Sequence, residues 1–73
     1  MRYEVIREIF NQCSGNQMRD VFVTTEEVSD PESYVRNMLV GNIEVFEVSR
    51  QGGDVIISVV VDGLKQRFSF TED

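Results

Sequence analysis

Val55-Ile56-Ile57-Ser58-Val59-Val60-Val61-Asp62-Gly63-Leu64-Lys65-Gln66-Arg67-Phe68-Ser69-Phe70 is the stretch that decides the fold. Asp-Gly between two alternating apolar runs is the strongest short hairpin signal, because a type I′ turn needs positive φ at both central residues. With Val61 and Leu64 flanking the turn, Val59 faces Gln66, Ile57 faces Phe68 and Val55 faces Phe70. One face then collects Val55, Ile57, Val59, Val61, Leu64, Phe68 and Phe70, and this is the expected core. The other collects Ile56, Ser58, Val60, Asp62, Lys65, Arg67 and Ser69.

Upstream, Gln51-Gly52-Gly53-Asp54 reads as a second tight turn. A two-residue Gly-Gly loop sets Val48 opposite Ile57 and Phe46 opposite Val59, which extends the core face. Ile43, Val45, Glu47 and Ser49 fall on the opposite side. The back of this three-strand meander therefore gathers Ile43, Val45, Ile56 and Val60 beside Lys65 and Arg67. A solvated face of an antiparallel sheet usually reads more polar. Cover by the N-terminal segment, ordinary exposed valines, or a protein contact would each account for it, and self-association is the foremost contact. These six residues are the candidate interface.

Before the meander, Ser29-Asp30-Pro31-Glu32 introduces Ser33-Tyr34-Val35-Arg36-Asn37-Met38-Leu39-Val40-Gly41. Proline steers the preceding residue out of the α region and suits the first helical position. Asp30 is the expected N-cap, and Gly41 the expected stop. Tyr34, Val35, Met38 and Leu39 make an apolar stripe for the core face. Glu26, Glu27, Asp30 and Glu32 crowd the approach, where the helix dipole favours negative charge.

The first segment, Arg2 to Phe10, has two readings. As a strand, Tyr3, Val5 and Ile9 share a face broken by Arg7; as a helix, Ile6 stacks on Phe10 and Val5 on Ile9. Strand is preferred, because β-branched residues abound, no N-cap precedes, and Asp20 to Glu26 offers a partner. The expected architecture is a small α+β single domain, residues 1–73, in ββαβββ order. It has an antiparallel or mixed sheet with one helix packed on one face; the alternative is αβαβββ with residues 2–13 helical. The preferred order resembles that of the β-grasp (ubiquitin-like) fold. The chain ends Phe70-Thr71-Glu72-Asp73 rather than in the Gly-Gly of ubiquitin-like modifiers, so that resemblance points to protein binding rather than conjugation.

Asn11 to Arg19 reads as a long connector, and long loops are often functional. Asn11, Gln12, Cys13, Asn16, Gln17 and Arg19 form the candidate ligand or redox loop. Their amides both donate and accept, and Arg19 beside Cys13 would favour the thiolate.

Composition narrows the chemistry. Twelve Val and five Ile stand against two Leu, which suits sheet rather than a helical core. With no His and one Cys, neither a Ser-His-Asp triad, a His-ligated zinc nor an internal disulfide is available to one chain. No metal or cofactor is expected, and no enzymatic activity. The net charge of −6 opposes general nucleic-acid affinity. No apolar run is long enough to cross a membrane, and acids interrupt the segment after Met1-Arg2, so a cytoplasmic protein is expected. The functional expectation is a small non-enzymatic protein-interaction module that binds a protein partner or a second copy of itself, as in a homodimer. The alternative is a thiol-dependent sensor or small-ligand-binding domain using the Cys13 loop.

Overall fold

The structure is a computed structural model that describes the backbone of residues 1–13 and 16–73 and the side chains of residues 1–10 and 19–73. Six elements follow in order: β1 (Arg2–Cys13), β2 (Asn16–Glu27), α1 (Pro31–Met38), β3 (Ile43–Gln51), β4 (Asp54–Val61) and β5 (Leu64–Glu72). All five strands join one antiparallel sheet in the order β2-β1-β5-β4-β3. The first segment is thus a strand, and the helical alternative for residues 2–13 is excluded.

The meander has the expected register. Val61 pairs with Leu64, Val59 with Gln66, Ile57 with Phe68 and Val55 with Phe70. Positive φ at Asp62 (49°) and Gly63 (79°) supplies the turn that fixes it. Val48 pairs with Ile57 and Phe46 with Val59. Val55, Ile57, Val59, Val61, Phe68 and Phe70 are buried, joined from outside the meander by Val5, Val28 and Val35.

One position departs from the alternation. The register shifts between Ile43 and Val45, so that Ile43 pairs with Val61 and Val45 with Val60. Glu44 is the extra residue of this bulge, and one inserted residue moves everything before it to the other face. Ile43 therefore packs against the core and leaves the candidate interface. Glu44 instead reaches the neighbouring turn, where its Oε1 accepts the Gly63 N–H at 2.8 Å.

The helix begins at Pro31 as expected but stops at Met38, before Gly41. Leu39 is already extended (ψ 132°), with its N–H bonded to the Val35 carbonyl. Asp30 holds the N-cap position without capping a backbone N–H through its side chain. Its carboxylate accepts the Ser33 hydroxyl at 2.8 Å. Of the four acids expected at the helix start, Glu26 and Glu27 lie in β2, and Glu27 meets the N-terminal ammonium at 2.9 Å. Val35 is fully buried, Tyr34 sets its ring edge-on to Phe70, and the Arg36 guanidinium lies 3.9 Å over the Phe46 ring. The helix thus rests over β3, β4 and β5.

An eight-residue helix is about 12 Å long and about 10 Å wide. Five strands spaced about 4.8 Å apart span about 19 Å between the outermost two. One short helix cannot cover that width. The β1–β2 side of the helix face stays partly open, and among the described residues no helix lies on the other face.

Candidate functional site

Strand pairing turns the helix-free face into a grid. Its first row runs Arg19, Phe10, Lys65, Val60, Val45, from β2 across to β3. The second runs Val21, Glu8, Arg67, Ser58, Glu47, and the third Val23, Ile6, Ser69, Ile56, Ser49. A fourth row holds Thr25, Glu4 and Thr71, paired in turn, and the pair Asp54 and Gln51 at the ends of β4 and β3, one position beyond the last β4–β5 pair, Val55 with Phe70. Five of the six candidate interface residues share this face, namely Val45, Ile56, Val60, Lys65 and Arg67; the bulge removes only Ile43.

Sequence reasoning missed the other half. Ile6, Glu8, Phe10, Val21 and Val23 lie on the same surface, because the N-terminal hairpin adds two strands edge to edge rather than covering the meander. Alternation in residues 4–10 was a usable signal for which residues travel together. It carried no information that β1 would pair with β5.

Glu8 holds the middle of the face. Arg67 gives its carboxylate a two-pronged bond, Nε at 2.8 Å and the second nitrogen at 3.0 Å, and Arg19 adds an ion pair at 3.0 Å. Glu8 is only 7% exposed, although no layer of protein lies over it. Its cover is the guanidinium side chains that hold it. The Arg67 hydrogen bonds, reinforced by the charges of Arg67 and Arg19, keep the carboxyl below its ordinary pKa against the opposing effect of burial. Arg67 is raised in turn, chiefly by its bond to Glu8. Asp62, at the turn, is directed to Asn42 instead, accepting its N–H at 3.2 Å. Phe10 lies beside this network, with the Lys65 ammonium 5.4 Å and the Arg67 guanidinium 5.5 Å from its ring centroid.

The helix face keeps a groove of about 280 Å³ between α1 and the β1–β2 ribbon. Val5, Ile9, Phe22, Phe68 and Met38 give it apolar walls, and Arg7, Thr24, Glu26 and Tyr34 give it polar groups. Arg7, which interrupted the apolar face of β1 in the sequence, is held there. Its Nε and terminal nitrogen both donate to Gln66 Oε1, at 3.2 and 2.8 Å, and its guanidinium lies 5.2 Å from the Phe68 centroid. Burial, and then the charge of Glu26, push the Tyr34 phenol up.

The expected long connector is mostly strand. β1 continues through Cys13 and β2 starts at Asn16, with Cys13 paired to Asn16 and Asn11 to Met18. Low strand propensity in this amide-rich stretch is overridden by the continuing ladder between the two strands. Arg19 pairs across from Phe10, three register steps from Cys13, and its guanidinium goes to Glu8. The side chains of Asn11, Gln12, Cys13, Asn16 and Gln17 lie outside the described set, as do Ser14 and Gly15 altogether. Among the described residues, no cluster of three or more His, Cys, Asp or Glu could hold a metal ion. Among the described residues no helix is long and apolar enough to cross a membrane.

Comparison with known proteins adds no assignment: no family model matches the sequence, and no curated protein or solved structure is significantly similar to it. The resemblance to the ubiquitin-like fold therefore stays one of element order.

Proposed function

We propose that the chain is a small non-enzymatic protein-interaction module that binds a second copy of itself through the helix-free face of its sheet. The observation that carries this reading is the layout of that face. Ile6, Phe10, Val21, Val23, Val45, Ile56 and Val60 interrupt its polar positions, with Val21 49% and Val23 60% exposed. Its charges are also sorted along the strands. The cations Arg19 and Lys65 stand in the first row, without acids; Arg67 shares the second with Glu8 and Glu47, and the fourth holds the acids Glu4 and Asp54.

A twofold axis in the sheet plane, running across the strands, lays the first row of one copy over the fourth row of the other. Lys65 then falls between the partner's Glu4 and the partner's Asp54. The middle rows bring Ile6 and Ile56 beneath the partner's Arg67, Glu8 and Ser58. Opposite charges meet at both ends, Val21 meets the partner's Val23 along β2, and Ile6 and Ile56 lie against the partner's Glu8 and the partner's Ser58, an isologous arrangement in which each contact occurs twice. Sheets stacked face to face lie about 10 Å apart, close enough for these side chains to interdigitate.

Sedimentation equilibrium over a wide concentration range tests the reading, with the Val60→Glu variant alongside, which sets a carboxylate against the partner's Asp54. Association that rises with concentration, and a particle mass halved by Val60→Glu while circular dichroism stays native, is the expected result. A single-copy mass at every concentration, or an unchanged mass in the variant, would overturn it.

A further inference from the structure

The two edges of the sheet are unlike each other. β3 is broken by the bulge at Glu44 and bears exposed Glu44, Glu47 and Arg50, the charges and irregularity by which proteins keep an edge from pairing. β2 runs twelve residues in unbroken register with β1, without proline or bulge, and its charges, Arg19, Asp20, Glu26 and Glu27, flank an uncharged centre of residues 21–25. Its middle is Val21-Phe22-Val23, exposed by 49%, 53% and 60%. Alternate residues of such a strand turn their N–H and C=O away from β1, toward whatever lies beside the edge.

We infer that β2 is a pairing edge for a second copy of this chain, the two β2 strands joining antiparallel about Phe22 into one ten-stranded sheet. The choice of a second copy follows from self-complementarity. Residues directly opposite in an antiparallel pair share a face, so a twofold axis normal to the sheet keeps helix side with helix side. With Phe22 on the partner's Phe22, Val21 meets the partner's Val23 twice over, Asp20 meets the partner's Thr24, and Arg19 meets the partner's Thr25. Arg19 also lies diagonal to the partner's Glu27, within reach of a long side chain. Aromatic meets aromatic on one face and valine meets valine on the other, with no like charges opposed. Shifting by one pleat in one direction sets Asp20 against the partner's Phe22. Shifting the other way sets Asp20 against the partner's Glu26. The register about Phe22 is therefore preferred over both neighbours.

This edge contact deepens the interaction reading by naming a second surface, and the two surfaces have separate variants. Phe22 lies on the helix face, so Phe22→Lys leaves the helix-free face intact, and Val60→Glu leaves the β2 edge intact. Sedimentation of each variant, of the double variant and of an equimolar mixture of Phe22→Lys with Phe22→Glu tests the inference. Phe22→Lys alone and Phe22→Glu alone should each halve the particle mass by setting like charges against each other, and mixing the two should restore it. The double variant Phe22→Lys, Val60→Glu should be a folded single copy. An unchanged mass in Phe22→Lys, or no recovery on mixing, overturns the edge contact while leaving the face contact to stand on Val60→Glu. A wild-type chain that sediments as one copy overturns both.

Discussion

At the scale of single residues, Glu8 is the most constrained charged group among the described residues. A carboxylate on a strand facing away from the helix would ordinarily be solvated. Here three charged side chains from β1, β2 and β5 close over one another, and strand register alone brings them together. Hydrogen bonds to charged groups contribute about 1.5–3 kcal/mol, and partial exposure of both arginines argues for the lower end. Glu8→Gln should therefore cost about 1–2 kcal/mol at neutral pH, a fall in Tm of roughly 4–8 °C for each kcal/mol in a domain this size. Because the folded pKa of Glu8 is lowered, its contribution is complete above the unfolded value near 4.5 and is lost as pH falls through the folded one. Thermal melts of wild type and Glu8→Gln should converge as the pH drops below that value. A gap that persists in acid would mean the loss comes from packing rather than charge.

At the scale of elements, the β4–β5 turn is fixed by more than its own two residues. Asp62 adopts positive φ while exchanging hydrogen bonds with Asn42, donating its N–H at 3.0 Å and accepting through Oδ1 at 3.2 Å. The bulge residue Glu44 satisfies Gly63. The link from helix to β3 thus docks on the turn through Asn42, with Gly41 packed close beside Asp62 and Val61. Gly41 has φ 119°, and a Cβ there would run into the Asp62 carboxylate and the Val61 side chain. Gly52, in the other turn, has φ 61° and open space around it. Gly41→Ala and Gly52→Ala both meet the backbone cost of positive φ, about 1 kcal/mol, and only the first adds a clash. Chemical denaturation should show Gly41→Ala losing the more stability, by at least about a further 1 kcal/mol.

At the scale of the whole molecule, the terminal strands lie side by side in the sheet interior, so closing the fold requires contacts between residues far apart in sequence. Amides of Val5, Ile57 and Phe68, inside three strands paired on both sides, should exchange with solvent only through global unfolding. Outward amides of β3 should exchange quickly in any state of association. Those of β2 should be slow in wild type and fast in Phe22→Lys, which hydrogen exchange read by NMR would resolve strand by strand. Equal rates for β2 in both would mean that its edge faces solvent in the wild-type assembly.

The sequence by itself determined the local pairings. Asp62-Gly63 and Gly52-Gly53 set two hairpins, and period-two alternation then assigned Val55, Ile57, Phe68 and Phe70 to the core. Turn geometry and pleat act between neighbours, so a short stretch of chain contains all they need. Pro31 likewise marked the helix start, because its constraint on the backbone is its own. Tertiary structure alone decided the rest. The pairing of β1 with β5 joins residues more than fifty positions apart, and only that pairing brings Glu8, Arg19, Arg67 and Phe10 onto one surface. It also decided that Ile43 turns inward, since Glu44 leaves the alternation to bond a turn nineteen residues away. A strand's periodicity says which of its residues travel together, but the identity of its neighbour is a long-range choice made by whichever arrangement buries Val5, Val35 and Phe70 at once.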